Sequence, residues 1–419
     1  MSGKGIAPAS KVTVIGAGIV GISCASYLRR DGHDVTVIDR VPPGEGCSKG
    51  NAGCLSPGSV IPLAGPGVLR QVPGWLRDPL GPLAIRWAYL PRALPWLLRF
   101  ARAGAPEEVE RGSAALRALH RDTFENYAPL VRAAGAEALI RRTGQLHVYS
   151  TEEGFRGDAA GWARRRALGV AVEELGRSQI RQIEPALAPI FARAVYLPEH
   201  GHTLDPWRLV QCLAESFVRD GGIVLRPEVR DLEVGPDGST RLRTDQGAIE
   251  AGTLVIAAGA WSHRLAARLG DRVPLESQRG YHVTVADPGV EPRMPVMWAE
   301  RKFMMTPMQP GLRFAGTVEF AGLEAPADYR RARVLLKQGK EVFPDLKAER
   351  VSEWMGHRPC LPDSLPVIGR SPRFPSVLYA FGHGHTGLSG ASTTGRVIAD
   401  LVAGRPPAID VTPFRVDRF

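Results

Sequence analysis

The sequence contains little cysteine, and none of it forms a metal or redox motif. Five cysteines, an odd number, are spread over 419 residues, and no two of them make a CxxC pair. Cys24 and Cys212 fall within predicted helices, where small buried thiols are common. The pattern argues against a disulfide framework, predicts no metal site and favours a reducing compartment.

Long apolar runs are absent as well. No stretch of about 18 consecutive apolar residues, the length that a membrane-spanning helix needs, is present. Residues 1–10 also lack the apolar segment of a signal peptide. We therefore expect a cytoplasmic protein whose contact with a membrane, if any, is peripheral and at the inner face.

One segment has two interpretations that bear on this point. Residues 68–103 are rich in tryptophan, leucine, proline and arginine. Trp75, Trp87 and Trp96 could anchor such a segment at a membrane interface. Alternatively, the segment is a pair of short helices that cover an active site.

Positive charge is not concentrated in runs. The net charge is +10, but the arginines are scattered and are not interleaved with aromatic residues as in nucleic-acid-binding modules. We expect no nucleic-acid partner. A basic surface could favour anionic lipids or substrates, but an arginine-rich background composition is the preferred explanation of the charge. The hydrophobic content of 44% and charged content of 23% are ordinary for globular proteins, and the length allows two domains.

What the sequence does contain is a βαβ unit near its start. Lys11–Ile15 and Asp34–Ile38 have the composition of buried strands, and Ile22–Arg30 has that of an amphipathic helix. The segment Gly16–Gly21 joins the first strand to the helix with the spacing GxGxxG. This context is typical of a dinucleotide-binding unit, in which phosphates lie at the helix N-terminus.

Each glycine of the motif has a separate predicted role. Gly16 permits the tight turn, Gly18 lets the backbone approach a pyrophosphate, and Gly21 lets the helix pack against the strand. Asp39 follows the second strand, where a carboxylate accepts hydrogen bonds from a ribose diol. The other predicted cofactor contacts of this unit are Ile19, Val20 and Arg40.

A second glycine motif, Gly382–Gly387, lies near the C-terminus. It follows a predicted strand, Val377–Phe381, and precedes a predicted helix at about Ser389–Ala403. No return strand that could deliver a ribose-binding acid follows Gly404, so a second nucleotide site is not expected. A helix N-terminus of this kind would stabilise the negative charge of a reduced flavin. The two motifs together predict FAD rather than a nicotinamide cofactor.

The rest of the chain alternates between two kinds of pattern. The irregular segment 42–67 is a candidate functional loop. Single helices are predicted over 107–134, 153–168, 206–219 and 327–342, and a hairpin turn at Asp237-Gly238. We predict an α/β fold in which a Rossmann-like FAD-binding domain (1–60, 200–272 and 355–419) is interleaved with an α+β substrate or cap domain (61–199 and 273–354) that contains an antiparallel sheet.

Several separated motifs together resemble one family. They are VIGAGIVG (14–21), SKGNAG (48–53), AAGAW (257–261), GHRP (356–359) and GHGHTG (382–387). The chain resembles the D-amino-acid oxidase superfamily of FAD-dependent oxidoreductases. Within it, the motifs are most similar to those of bacterial D-amino-acid dehydrogenases and D-hydroxyproline dehydrogenases.

The resemblance implies further cofactor contacts. In the family, the loop at 48–53 runs beside the pyrophosphate and isoalloxazine, and a strand residue contacts the adenine through its backbone. The positions that match are Ser48, Asn51, Ala52 and Gly53 in the loop, Val229 in the strand, Ala258, Gly259 and Trp261 near the adenosine, and Gly382, Gly384, Thr386, Gly387 and Leu388 near the flavin.

The resemblance also implies the substrate contacts. Arg358 matches the arginine that holds the substrate carboxylate through two parallel hydrogen bonds. Tyr281 either gives that carboxylate a hydroxyl contact or belongs to the core of a sheet. His383 and His385 either line the pocket or act as structural hydrogen-bond donors. Cys360 follows Arg358, whereas relatives with covalent flavin carry their cysteine before it, so noncovalent FAD is expected.

The implied reaction is oxidation of a D-amino acid, or of a cyclic D-imino acid such as D-proline or hydroxy-D-proline. Hydride would pass from Cα to flavin N5, and the electrons would go to a quinone or another carrier. Three alternatives remain: a glycine/sarcosine-type oxidase that uses oxygen, an FAD-binding subunit of a hetero-oligomer, and an NAD-binding sensor without flavin. The oligomeric state is not predicted.

Overall fold

The computed structural model describes residues 10–65, 67–78, 80–235 and 238–419. Residues 1–9 of the N-terminal stretch without an apolar signal segment, and Asp237 of the predicted hairpin turn, lie outside this range. The α-helices are α1 (Ile19–Arg30), α2 (Val68–Arg77), α3 (Leu90–Ala103), α4 (Pro106–His120), α5 (Thr123–Ala133), α6 (Glu152–Gly157), α7 (Ala159–Ala167), α8 (Arg177–Ile183), α9 (Pro206–Arg219), α10 (Ser262–Arg268), α11 (Arg330–Val342) and α12 (Gly387–Val402).

The strands form two large and two small sheets. In chain order they are β1 (Lys11–Ile15), β2 (Asp34–Ile38), β3 (Cys54–Leu55), β4 (Leu83–Ile85), β5 (Ile140–Arg141), β6 (Gln145–Tyr149), β7 (Glu173–Gly176), β8 (Arg193–Leu197), β9 (Gly201–Thr203), β10 (Ile223–Leu225), β11 (Val229–Val234), β12 (Thr240–Thr244), β13 (Gly247–Ala251), β14 (Thr253–Ile256), β15 (Glu276–Ala286), β16 (Val296–Trp298), β17 (Phe303–Met308), β18 (Gly311–Phe320), β19 (Arg350–Cys360), β20 (Val367–Arg370) and β21 (Val377–Phe381).

The first large sheet has the order β10-β2-β1-β14-β21-β20. All neighbours in it are parallel except β20 and β21, which are antiparallel. Parallel strands are covered on both faces, which explains why Val12, Val14 and Val377 are fully buried. Helices α1 and α12 pack closely at Gly395, which has no side chain to separate them. A Cβ there would lie only 2.6 Å from the Ser23 carbonyl oxygen.

The second large sheet has the order β19-β15-β18-β17-β16-β6-β8-β7, with β4 beside β18. Its central strands β15 and β18 run antiparallel and are buried along almost their whole length. Helix α11 packs on them through Gly339, where a Cβ would lie 2.3 Å from the Phe314 ring. Both faces of these central strands are therefore covered.

Two predicted helices are each divided in two. The expectation of one helix over 107–134 is wrong: α4 ends at His120 and α5 begins at Thr123. The Thr123 hydroxyl lies 2.6 Å from the His120 carbonyl and 3.0 Å from the Ser389 carbonyl, so a contact with α12 fixes the break. Similarly, the predicted helix 153–168 consists of α6 and α7.

The domain boundaries stay a prediction, and we propose the interleaved arrangement with one boundary moved. The first sheet draws its strands from residues 11–38, 223–256 and 367–381, and the second from 83–85, 145–197 and 276–360. Because β19 continues the second sheet to Cys360, we place the last boundary after this residue instead of at 354. No helix among the described residues is long and apolar enough to cross a membrane.

Candidate active site

The dinucleotide end is built by the turn between β1 and α1. Gly16 has φ +112°, and a Cβ there would lie 2.3 Å from the Ala257 carbonyl oxygen. A Cβ at Gly21 would lie 1.9 Å from the Gly16 carbonyl oxygen. At Gly18, by contrast, only the Ser48 hydroxyl lies nearby, at 3.4 Å. The helix N-terminus is thus approachable by a phosphate, with Ile19 and Val20 in its first turn.

Asp39 lies where β2 ends, as the ribose-binding role requires. Its carboxylate accepts hydrogen bonds from the backbone N–H of Ala17 at 2.7 Å and of Val41 at 3.1 Å. These bonds fix its orientation beside the glycine turn, and the side chain is only half-buried. A carboxylate has about four lone-pair sites, so two remain for a ribose diol.

The predicted adenosine contacts include Arg40, Trp261 and Gly259. The Arg40 guanidinium lies 4.9 Å from the centroid of the Trp261 ring and pairs with Glu228 at 2.8 Å. Glu228 directly precedes Val229, which begins β11. Gly259, after Ala258, has φ +54°, and a Cβ there would meet no atom within 4 Å. The predicted adenosine contacts therefore lie along one open edge.

The predicted flavin loop is held in place by an arginine that the sequence did not reveal. The Ser48 hydroxyl accepts a hydrogen bond from Ile19 N–H at 3.0 Å, and Asn51 Oδ1 accepts one from Gly53 N–H at 2.7 Å. Arg313 on β18 donates to the Asn51 carbonyl at 2.7 Å. This buried guanidinium ties the loop to the second sheet.

A cavity of about 1360 Å³ lies between this loop, β15, β18, β19, the turn before α12, and α2, β4 and α3. Drug-sized pockets reach about 1,000 Å³, so this one has room for a ring system together with a small substrate. Both predicted cofactor contacts and predicted substrate contacts line it. They are Asn51, Ala52, Tyr281, Arg358, Gly382, His383, Gly384, His385 and Thr386. Gly387 and Leu388 begin α12 directly behind this wall.

Arg358 lies on β19 and faces the cavity. Its Nη1 donates to the Thr317 carbonyl at 2.8 Å and its Nη2 to the Gly316 carbonyl at 3.3 Å. Gly280 on β15 makes room for it, since a Cβ there would lie 2.1 Å from Arg358 Cζ. Burial lowers the pKa of the guanidinium, which stays charged. No carboxylate among the described residues pairs with it.

The two histidines of the second glycine motif are neutral hydrogen-bond donors. His385 Nε2 donates to Gln278 Oε1 at 3.1 Å, and His383 Nε2 donates to the Thr394 hydroxyl at 2.9 Å, which itself donates to a helix carbonyl. Burial lowers the pKa of each imidazole to about 3. His385 adjoins Arg358 through Gln278, its partner in the β15–β19 ladder, whereas His383 is held against α12.

Tyr281 lines the cavity, but the one proton of its hydroxyl is already donated. It donates to Glu319 at 2.6 Å and accepts from the Asp328 backbone N–H at 3.0 Å. Glu319 also pairs with Arg86 at 2.8 Å and lies 3.7 Å from Arg279. The sheet-core alternative therefore describes Tyr281 better than a contact with the substrate carboxylate.

Four further residues shape the site without any local sequence signal. Gln278, Arg313 and Glu319 are polar residues inside strands, and only the strand pairing brings them to the site. Trp354 stacks on His282 with ring centroids 5.1 Å apart, and a Cβ at Gly50 would lie 2.2 Å from its ring. It forms one wall of the cavity next to the flavin loop.

These residues fit FAD. The open backbone at Gly18 and Gly259 suits a pyrophosphate and an adenosine, Asp39 suits a ribose, and the cavity beside the 48–53 loop has room for a flavin ring. The site and fold thus define a flavin-dependent oxidoreductase. The chain belongs to the D-amino-acid oxidase family of FAD-dependent oxidoreductases. The model of this family, described as FAD dependent oxidoreductase, matches residues 11–401.

Comparisons with single proteins confirm the resemblance. A protein of Bradyrhizobium diazoefficiens named D-amino-acid oxidase is 43% identical over 415 residues, covering 97% of this chain and 98% of that protein. A D-amino acid dehydrogenase of Paramagnetospirillum magneticum is 34% identical over 432 residues, covering 98% and 99%. The crystal structure of glycine oxidase from Geobacillus kaustophilus matches with a TM-score of 0.74 at 22% identity, covering 98% and 99%. This last likeness confirms the fold, and FAD is the cofactor.

Proposed function

We propose that the protein oxidises the Cα–N bond of D-amino acids, or of cyclic D-imino acids such as D-proline and hydroxy-D-proline. The observation that carries this proposal is the Arg358 guanidinium, a charged group on the cavity wall that has no carboxylate partner among the described residues. A guanidinium has five N–H groups, and two donate to carbonyls, so three remain (5 − 2) for a ligand. A substrate carboxylate supplies the missing negative charge.

The chain's own contribution is mainly positioning and electrostatics. Arg358 binds the carboxylate through two parallel bonds and so fixes Cα and its hydrogen. His385 is neutral, so it neither repels the substrate nitrogen nor competes with Arg358 for the carboxylate. Thr386 lines the cavity just before α12, whose N-terminal N–H groups favour negative charge at that wall. FAD, when bound, supplies the acceptor for hydride from Cα.

We propose that FAD is held noncovalently by the predicted residues. Asp39 would hold the ribose, the turn at Gly18 the pyrophosphate, and the loop from Ser48 to Gly53 the flavin side. Cys360 is buried, and burial raises the pKa of its thiol. Such a thiol is a poor nucleophile at neutral pH, which supports a noncovalent cofactor.

For the electron acceptor, we propose a quinone or another carrier instead of oxygen. The relatives named D-amino acid dehydrogenase support this choice. The relative at 43% identity is named an oxidase, and it favours oxygen as the second candidate. A quinone is dissolved in the bilayer, so the proposal includes peripheral contact with a membrane.

Anaerobic dye reduction by the purified chain tests the proposal. D- and L-amino acids, proline and hydroxyproline isomers, glycine and sarcosine are compared. We expect D-isomers to reduce the dye and L-isomers to be inactive, with little peroxide formed when the dye is replaced by oxygen. Equal rates with both enantiomers would contradict the D-specific proposal. Peroxide formed in step with substrate would establish the oxidase alternative. A flavin-loaded chain inactive with every substrate would contradict the proposal and favour the alternative of an FAD-binding subunit that needs partners.

A further inference from the structure

The part of the chain that covers the cavity exposes large apolar side chains. We call residues 68–103, which contain α2, β4 and α3, the cover segment. Trp87 is 78% exposed, Leu98 54%, Leu94 48% and Leu76 36%. Apolar side chains of this size and exposure, grouped in one segment, are typical of an interaction surface.

Helix α3 is apolar on two sides, and only one of them has a partner. Trp96 is buried and stacks on Phe100 with ring centroids 5.1 Å apart, and both line the cavity. Leu94 and Leu98 are four residues apart, so they share a face, and this face is in solvent. The helix therefore separates the cavity from an unpartnered apolar surface.

Arginines without partners border this surface. Arg77, Arg92, Arg99 and Arg102 are exposed, and none is in an ion pair or hydrogen bond with another described residue. The cover segment contains one acidic residue, Asp78, against six arginines. Other exposed arginines, such as Arg40, Arg208 and Arg243, pair with glutamate. Exposed apolar side chains flanked by unpaired arginines are complementary to an anionic lipid surface.

The cavity reaches the same surface. Leu76 and Trp87 are exposed, and both also line the cavity. A molecule dissolved in a bilayer that touched the cover segment would therefore meet the cavity without passing through water.

We propose that the cover segment docks on an anionic phospholipid bilayer, with Trp87, Leu94 and Leu98 in the headgroup region and Arg92 and Arg99 against lipid phosphates. Docking itself needs no particular substrate. Its use, delivery of a membrane-dissolved quinone to the cavity, rests on the proposed function. The cover segment would lie on the bilayer surface without spanning it, so the contact is reversible. Because part of the attraction is electrostatic, the contact weakens as salt is added.

Vesicle co-sedimentation of the FAD-loaded protein tests the docking. The vesicles are phosphatidylcholine alone and phosphatidylcholine mixed with phosphatidylglycerol. We expect binding to the mixed vesicles, little binding to the neutral ones, and release by high salt. Each arginine near such a surface contributes a factor of roughly five to partition, so Arg92→Gln/Arg99→Gln should bind about 25-fold more weakly. Leu94→Glu/Leu98→Glu should lose binding by at least about tenfold.

A matched control separates this surface from exposed apolar residues in general. Ile190 and Val218 are 40% and 50% exposed and lie outside the cover segment. Ile190→Glu/Val218→Glu should bind vesicles as the unchanged protein does. The proposal is wrong if the unchanged protein stays in the supernatant, or if this control loses as much binding as the α3 variant. It is also wrong if Leu94→Glu/Leu98→Glu instead changes the mass of the protein in solution, which would make the surface an interface between copies.

Activity with a water-soluble dye distinguishes failure of the docking proposal from failure of the proposed function. Leu94, Leu98, Arg92 and Arg99 do not line the cavity, so the variants should reduce the dye at the unchanged rate. Their turnover with a quinone embedded in vesicles should fall with their binding. Failure of every D-amino acid to reduce the dye would refute the proposed function and leave the vesicle result standing.

Discussion

Replacing Arg358 with lysine separates its charge from its geometry. The lysine ammonium keeps the positive charge at the cavity wall, but it has neither the planar fork nor the two anchoring bonds to the Thr317 and Gly316 carbonyls. The flavin site should stay intact, because the FAD contacts proposed here do not include this side chain. We therefore expect a yellow protein with slow reduction by substrate.

The size of the effect follows from two independent considerations. Loss of one charge-assisted hydrogen bond costs about 1.5–3 kcal/mol, which corresponds to a factor of roughly 10 to 150. A misplacement of about 1 Å of the reacting carbon can likewise lower the rate about 10²-fold. We expect the second-order rate constant of flavin reduction to fall about 10²-fold in Arg358→Lys.

Anaerobic stopped-flow absorbance with D-proline or D-alanine measures this rate constant directly. Arg279→Lys is the matched control, because Arg279 is a fully buried arginine on the neighbouring strand that does not line the cavity. It should lower stability but leave reduction per bound flavin near the unchanged rate. If Arg358→Lys reduces its flavin as fast as the unchanged protein at low and at saturating substrate, Arg358 does not bind the carboxylate.

Three further predictions concern the cofactor and the histidines. Acid precipitation should release FAD into the supernatant, and yellow colour in the pellet would contradict noncovalent binding. Asp39→Ala should weaken FAD binding by about 10- to 100-fold in titrations of the apoprotein without changing the order of substrates, because a charge-assisted bond to the ribose is lost; an unchanged dissociation constant would remove Asp39 from the site. Burial lowers the pKa of His383 and His385 from 6.5 to about 3. Below pH 6.5 only the unfolded chain takes up these protons, so the free energy of unfolding in urea should fall between pH 6.5 and 4 and fall less in His383→Gln; equal slopes would contradict this.

The first βαβ unit could be predicted because all its determinants are local. The strands Lys11–Ile15 and Asp34–Ile38 and the turn at Gly16 follow from short-range composition and spacing, and the structure has the same strand limits. The break between α4 and α5 could not be predicted in this way. It depends on Thr123 reaching the Ser389 carbonyl, a contact between segments far apart in the chain.

The residues of the candidate site divide in the same way, into those that local sequence could predict and those that it could not. Arg358 and the histidines stand in glycine- and proline-rich motifs that a resemblance can match. Gln278, Arg313 and Glu319 are polar residues within strands, and only the register of β15, β18 and β19 gives them roles. Tyr281 shows the limit of prediction from sequence. The sequence contains its hydroxyl, but it does not show that Glu319 accepts the hydrogen bond from it.

The contrast between the buried arginines of this sheet is the strongest physical reason to assign a ligand to Arg358. Arg279 lies 3.7 Å from Glu319 and donates to three carbonyls, so its charge is balanced within the fold. Arg313 makes no ion pair with a residue that the structure describes, but it binds the flavin loop and does not line the cavity. Arg358 has two carbonyls on one side and the cavity on the other. A desolvated charge without a counter-ion destabilises the protein, since folding removes its hydration and returns little. A fold can keep such a destabilising charge where a bound ligand supplies the missing counter-ion. The uncompensated charge that destabilises the free protein should therefore favour binding of an anion. Stabilisation of the FAD-loaded protein against heat by carboxylate inhibitors, lost in Arg358→Lys and kept in Arg279→Lys, would show that this balance exists.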